Sequence, residues 1–265
     1  MYRYFYLILP FICFCGTLSA FTGFSFSDVR SKGMGEADVA SVSFGNPSGL
    51  SFAGKRIISL SYENRYEIKE LSTIGATMMY PNKLLDVGVR LSRFGYEYYH
   101  ETSVGASVSR KLVSGFALGI RFDYLNVYVA GSEAKKYFYT VDAGIQWQMD
   151  KKLTVGFMVN NPVGASMNTG EKSPVIFRFG IQYLILPNVV AVGEFDQASD
   201  KNSRLKTGLE YSPAEHLFFR FGVSGKPFVP TFGIGYLFKS TRFDLSVKNH
   251  STLGLSTAVE LAYLF

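Results

Sequence analysis

The stretch STLGLSTAVELAYLF, residues 251–265, alternates along its length. Leu253, Leu255, Thr257, Val259, Leu261, Tyr263 and Phe265 are apolar or borderline, and Gly254, Ser256, Ala258 and Glu260 stand between them. A period of two describes a strand with one greasy face. A soluble sandwich would turn that face toward a protein core, whereas a barrel in an outer membrane would turn it toward lipid and keep the small and charged face inside. The remaining sequence has to decide which solvent the face was written for.

Working outward, the composition is unlike that of most soluble domains: aromatic residues make up 16%, with 24 Phe and 17 Tyr, Gly reaches 26, and charged residues only 18%. Residues 1–20 read as a secretory signal peptide, with Arg3 near the start, an apolar LILPFICFC and a small-residue end at GTLSA, so cleavage is expected after Ala20. The apolar run is short for a spanning helix of roughly 20 residues. Cys13 and Cys15 both lie in this segment, which leaves the mature chain without a disulfide. The net charge of +6 is spread over separated, turn-like pairs such as Arg110 with Lys111 and Lys151 with Lys152. That pattern argues against nucleic-acid binding and suits contact with anionic lipid head groups.

Beyond residue 55 the chain shows alternating runs broken by turn residues, and no amphipathic helix of ordinary length. The clearest runs fall at 84–92, 115–125, 140–149, 152–160, 175–185, 205–211, 217–223, 231–238 and 243–248. Weaker ones lie near 56–66, 70–80, 100–110 and 189–197, and with the terminal run the count is about fourteen, twelve being the alternative. Several are ten residues or longer. Soluble strands usually stop at about five or six residues, whereas a tilted membrane strand needs roughly 9 to 11. The links alternate as well: PNK, LVS, DK, PN, SPAE and KST are tight, while GYEYYHE, AGSEAKK, NNPVGASMNTGEKSP, DQASDKNS and SGKPFVP are mostly longer. Short periplasmic turns and longer outward loops are the habit of outer-membrane barrels.

The polar phase of these runs carries Gly119, Gly144, Gly156, Gly180, Gly208, Gly222, Gly233, Gly235 and Gly254. Glycine weakens a solvated sheet, but inside a closed barrel it frees volume for long side chains of neighbouring strands. Arg121, Asp123, Arg178, Glu194, Lys206, Glu210, Arg220, Asp244, Lys248 and Glu260 share that phase, and such a lumen-facing set would pair across the lumen. On the greasy phase Tyr80, Trp147, Tyr183, Tyr211, Tyr236, Tyr263 and Phe265 gather toward strand ends, as a head-group girdle does. The reading is an all-β transmembrane antiparallel barrel spanning 56–265 in a bacterial outer membrane, preceded by residues 21–55. Outer-membrane lipid and lipopolysaccharide are then its surroundings. A last strand ending on Phe265 also resembles the signal by which the barrel-assembly machinery recognises its clients.

The segment RSKGMGEADVASVSFGNPSGLSF, residues 30–52, resembles the amino-terminal signature of the FadL and PorV/PorQ-type barrels, in which an R..GMGGA.VA stretch leads to NPAGL just before the first strand. Gly33, Met34, Gly35, Ala37, Val39, Ala40, Asn46, Pro47, Gly49 and Leu50 match, and Ser48 replaces the usual Ala. The stretches VNNPVGASM, SPVIFRFGIQY and GLEYSPAEHLFFRFGVSGKPFVPTFGIGYLFKSTRFDLSV resemble the PorV/PorQ side. The acidic pair usual between the GMG and NP elements is missing, and that connection is shorter here. The resemblance implies fourteen strands and an amino-terminal hatch at 21–55, either inserted in the lumen or lying across the periplasmic mouth.

Chemistry is sparse. His100, His216 and His250 lie far apart in sequence with no metal-ligand spacing, so no metal site, catalytic residue or cofactor is expected. Neither GMG nor GIG opens a helix after a strand as a phosphate loop would. By resemblance to PorV/PorQ the leading expectation is a non-enzymatic accessory barrel that docks secreted proteins or secretion-system components in a type IX-like system. The alternatives are FadL-like passive uptake of small hydrophobic compounds through a lateral opening, and an outer-membrane lipid-modifying enzyme.

Overall fold

In a computed structural model the described residues are 27–132, 136–168, 170, 172–199, 203–225 and 228–265. The expected signal peptide, both cysteines and residues 21–26 of the hatch lie outside them. Fourteen strands form one closed antiparallel barrel. In chain order they are β1 (Ile57–Asn64), β2 (Ser72–Tyr80), β3 (Asp86–Gly95), β4 (Tyr99–Val113), β5 (Phe116–Val129), β6 (Lys136–Gln148), β7 (Leu153–Asn160), β8 (Ile176–Leu186), β9 (Val189–Ala198), β10 (Ser203–Ala214), β11 (Leu217–Ser224), β12 (Val229–Phe238), β13 (Thr241–His250) and β14 (Gly254–Leu264). Each pairs with its sequence neighbours, and β1 closes on β14 from Ile57↔Leu264 to Asn64↔Thr257. Every run expected from the alternation is a strand, and the count is fourteen, not twelve. No helix among the described residues is long and apolar enough to cross a membrane.

The alternation seen in the terminal stretch holds around the wall. In β5, Leu118, Ile120 and Phe122 are exposed outward, while Gly119 and Arg121 between them, and Ala117 and Asp123 on either side, are buried inward. A face that is greasy on the outside and buried, polar and charged on the inside is the reverse of a soluble domain. Trp147, Tyr183, Tyr211, Tyr236, Tyr263 and Phe265 are exposed outward, and the Arg56 guanidinium sits 4.3 Å from the centre of the Tyr80 ring. All seven aromatics lie within three residues of the ends of even-numbered strands, so they form a single belt at one rim. A second belt, of Tyr62, Tyr128, Tyr137, Tyr139, Phe177 and Phe195, marks the opposite rim.

The first rim carries the tight links 114–115, 149–152, 187–188, 215–216 and 239–240, with 81–85 beside them, and both ends of the barrel domain. At the other rim the structure corrects the expected loop lengths. β4 begins at Tyr99, and Tyr96 N–H donates to the Tyr99 carbonyl, so GYEYYHE is mostly strand and only 96–98 connects. Likewise 199–202 and 225–228 are short, whereas the links 130–135 and 161–175 keep nearly their expected lengths. The ladders continue past the apolar band because polar and aromatic pairs hold a sheet in water as well.

If hydrocarbon wets the outer face, Ile120→Arg near mid-barrel should lower folding stability by about 2–4 kcal/mol, and Leu112→Arg at the rim by roughly 0–1 kcal/mol. Denaturant titrations of the protein in bilayers measure both.

Candidate functional site

The interior is built around residues 27–53. A short helix, α1 (Val29–Lys32), is followed by a turn in which Gly35 and Glu36 both take positive φ, 71° and 64°. The chain then runs to a 3₁₀ turn at Pro47–Phe52. Its start is set by Asn46, whose side-chain oxygen accepts from Ser48 N–H at 3.1 Å, with Pro47 supplying a fixed φ at the first position. The Asn46 amide also donates to the carbonyls of Val39 (2.8 Å) and Ile145 (3.1 Å), tying the hatch to itself and to β6. Met34, Val39, Asn46 and Ser48 are fully buried, and Gly33, Gly49 and Leu50 are buried with them. The segment is therefore inserted in the lumen and does not lie across its mouth.

The inward glycines explain the fit, and here one expectation is corrected. A methyl group at Gly119 would fall on the Pro47–Ser48 backbone, at Gly144 on the Asn46 side chain, at Gly156 on the Val39 carbonyl, at Gly208 on Met34 and at Gly222 on the Gly35 nitrogen. The space is taken by the hatch backbone and not by long side chains of neighbouring strands. The expected use survives at Gly235, beside the Arg220 guanidinium, and at Gly105, which lies between Arg90 of β3 and Asp123 of β5.

The ten charged residues expected in the lumen all face inward, but they do not pair across it. They pair along their own strand, with strands one or two places away, and with the hatch. Arg121 bonds Asp123 (2.8 Å), Asp142, and the Phe44 carbonyl (2.6 Å). Arg178 meets Glu194 (2.5 Å) and Asp38 of the hatch (2.6 Å), and Lys206 bridges Glu194 and Asp196, both at 2.8 Å. Glu194 also accepts the backbone N–H of Asp38 and Val39. Arg220 joins Glu210 and Asp244 at 2.6 Å each, Arg30 reaches Glu210 at 2.8 Å, and Lys248 reaches Glu36 at 2.7 Å. Glu260 accepts from Val29 N–H at 3.4 Å. The sequence reading missed Arg90, Asp142, Asp196, Arg242 and the hatch's own Arg30, Lys32, Glu36 and Asp38. The wall residues among them share the inward parity, which could have exposed them.

Two hatch carboxyls are pushed in opposite directions. Burial raises Glu36, but Lys248 and Lys206 outweigh it and hold the group at about 2. Burial lifts Asp38 to about 6, opposed by Arg178 and assisted by Glu194.

Above the hatch, toward the outer rim, the inner wall changes character. Leu125 and Val127 of β5, Phe138 of β6 and Met167 from the 161–175 link form a buried apolar cluster, with Tyr99 and Ala165 against it. The link folds inward at Asn161, whose N–H donates to Asp142 and whose side-chain oxygen accepts from Ala165 N–H and the Thr140 hydroxyl. It covers a low place in the wall. The β6–β7 ladder runs only from Gln148↔Thr154 to Asp142↔Asn160. At about 3.3 Å per residue and a tilt of ~40° that is roughly 15 Å of a ~25 Å apolar band. Beyond it, Tyr137 N–H donates to the Asn168 side chain (3.0 Å) in place of a β7 partner.

No family model and no curated protein sequence matches the chain. Solved structures do match it. A TodX deltaS2S3 mutant, a monoaromatic hydrocarbon channel, superposes with a TM-score of 0.72 at 12% identity, covering 91% of this chain and 100% of that one. The toluene transporter TodX of P. putida gives 0.66 at 13% identity, with 89% and 97% covered. A Pseudomonas aeruginosa FadL homologue gives 0.64 at 11%, with 89% and 98% covered. The chain has the fold of the FadL-type outer-membrane barrels. The PorV/PorQ side of the motif resemblance draws no support from these matches.

The three histidines are not brought together. His100 stacks outward on Tyr128 at the outer rim, His216 lies in the 215–216 turn at the opposite rim, and the His250 Nδ1 accepts from Thr252 and Leu253 N–H. Among the described residues no group of His, Cys, Asp or Glu is arranged to hold a metal.

Because Glu36 is held below its ordinary 4.5, its pairing with Lys248 is present in full above that value and is lost as the pH falls toward 2. Protease access to the hatch should rise over that window, and Glu36→Gln should raise it already near neutral pH. Gly144→Val should leave a folded barrel with an expelled hatch, read as increased leakage of small polar solutes from proteoliposomes.

Proposed function

We propose that this protein is a passive outer-membrane channel for small hydrophobic compounds, without enzymatic activity. The apolar cluster of Leu125, Val127, Phe138 and Met167 carries the reading. It is an inward-facing greasy stretch of wall made without any hatch residue, unlike the apolar contacts lower in the lumen, and it stands at the outer mouth, where a compound from outside arrives first. Small-molecule sites are mostly apolar walls with few polar groups, and this is where the lumen has that chemistry. Below it the hatch and its ion pairs fill the lumen, so an apolar solute would have to strip hydrated or paired charges to continue straight through. The low β6–β7 wall beside the cluster is closed by the 161–175 link alone, so displacement of that link would open a sideways path into the bilayer, which suits such a solute. The channels TodX and CymD, of like fold, are monoaromatic hydrocarbon channels. Among the described residues no comparable feature supports docking of secreted proteins.

Uptake of a labelled monoaromatic hydrocarbon by intact cells tests the reading. Deleting the protein should slow uptake, and Phe138→Asp should slow it to the same extent with normal amounts of folded barrel. Unchanged uptake in both strains would reject it.

A further inference from the structure

The charge of this protein is not spread evenly between its two rims. On the tight-turn rim, from the start of β1 to the β6–β7 turn, stand Lys55 and Arg56, Lys83, Arg110 and Lys111, and Lys151 and Lys152, all exposed. None of them forms an ion pair among the described residues. Two acids share the arc and both are occupied. Asp86 accepts from Ser51 (2.6 Å) and Asn82 N–H (3.0 Å), and Asp150 from Lys152 N–H (2.6 Å) and Leu153 N–H (2.7 Å). The next two turns, 187–188 and 215–216, hold no lysine or arginine. The outer rim, by contrast, has its Lys and Arg interleaved with acids, as where Lys32 and Arg65 share Glu63.

A second feature of the same arc says what the cations meet. Leu84, Leu112, Val113 and Met149 are exposed at 70%, 55%, 66% and 48%, in or beside the turns that carry the charges. Large apolar side chains in a turn facing water are unusual unless something covers them. A soluble polyanion would leave them bare. A lipid interface takes both, with acyl chains against leucine and phosphate against lysine and arginine. The cation–ring pair of Arg56 with Tyr80 sits at the same level, where girdle aromatics meet head groups.

We propose that this arc binds anionic phospholipid head groups of the inner leaflet, so that the barrel gathers them on the β1–β7 side. The binding is independent of transport and is set by cations on four successive connections.

The full chain in nanodiscs of zwitterionic lipid with a minor fraction of phosphatidylglycerol provides the test, with the lipids retained by the barrel identified by native mass spectrometry. Phosphatidylglycerol should be retained several-fold above its share of the bilayer, and less so at high salt. A variant with Arg110, Lys111, Lys151 and Lys152 all changed to Gln should fall to that share. Lys151→Gln with Lys152→Gln alone should lose part of the excess, and Lys239→Gln, off the arc, should not. Heat-dependent gel mobility shows that each variant is folded. No excess in the native protein, an excess untouched by the four substitutions, or equal capture of a soluble anionic glycan would overturn the proposal.

Discussion

Hydrocarbon offers a backbone no hydrogen bonds, and this protein is organised around that fact. Every strand must find two partners, so the sheet has to close, and the closure of β1 on β14, extended by the mutual hydrogen bonds of Arg56 and Phe265, removes the last edge. Closure then dictates the rest. The outer face can be satisfied with Leu, Ile, Val and aromatics, but the inner face encloses a volume too wide for fourteen strands of ordinary side chains to fill. The chain fills it with its own amino-terminal segment.

That solution ties the hatch to the wall through two kinds of contact. Glycines on β5, β6, β7, β10 and β11 let backbone lie on backbone, which fixes position by shape. Buried ion pairs then fix orientation, since Arg121, Arg178 and Glu194 each hold both a wall partner and a hatch group. Buried pairs of this kind contribute less to net stability than to specificity, because desolvation offsets much of their attraction, yet breaking one partner leaves an uncompensated charge. The lower lumen is thus plugged by ion pairs and by small apolar contacts of the hatch with the wall, at Met34 with Val192 and at Leu50 with Met79, while the apolar cluster under the 161–175 link is made without the hatch. The basic arc at the opposite rim serves the membrane instead of the lumen, apart from Lys111, whose ammonium lies 4.7 Å over the Phe52 ring of the hatch.

The barrel was legible in the sequence because lipid on one side imposes a period of two that no loop or helix imitates, and strand parity alone located the inward set from Arg121 to Glu260. What parity does not carry is partnership. That Arg90 on β3 reaches Asp123 on β5 over Gly105 depends on register, and register appears only when the strands are aligned. Of the nine glycines read as interior, Gly254 stands exposed at positive φ where β14 begins; the others face inward, and most make room for the hatch and not for side chains of the wall, because a segment inserted from elsewhere in the chain leaves no local mark on the strands that receive it. Loop lengths were overestimated since strands extending into water, as at Tyr99 and His100, lose the apolar alternation while keeping the ladder. The second aromatic belt escaped notice for the same reason, and the PorV/PorQ expectation rested on short stretches of strand and loop, such as VNNPVGASM and SPVIFRFGIQY, that specify the barrel wall more than what the barrel admits.

The central claim is that the exposed apolar face of each strand is wetted by acyl chains. Single cysteines at Leu245 and Ser246, adjacent on β13 and of opposite parity, test it when labelled with a small fluorophore in bilayers containing brominated lipid. The account predicts strong quenching at 245 and little at 246, with a water-soluble quencher reaching neither well. Equal quenching at both sites, or ready access of the aqueous quencher to 245, would contradict it.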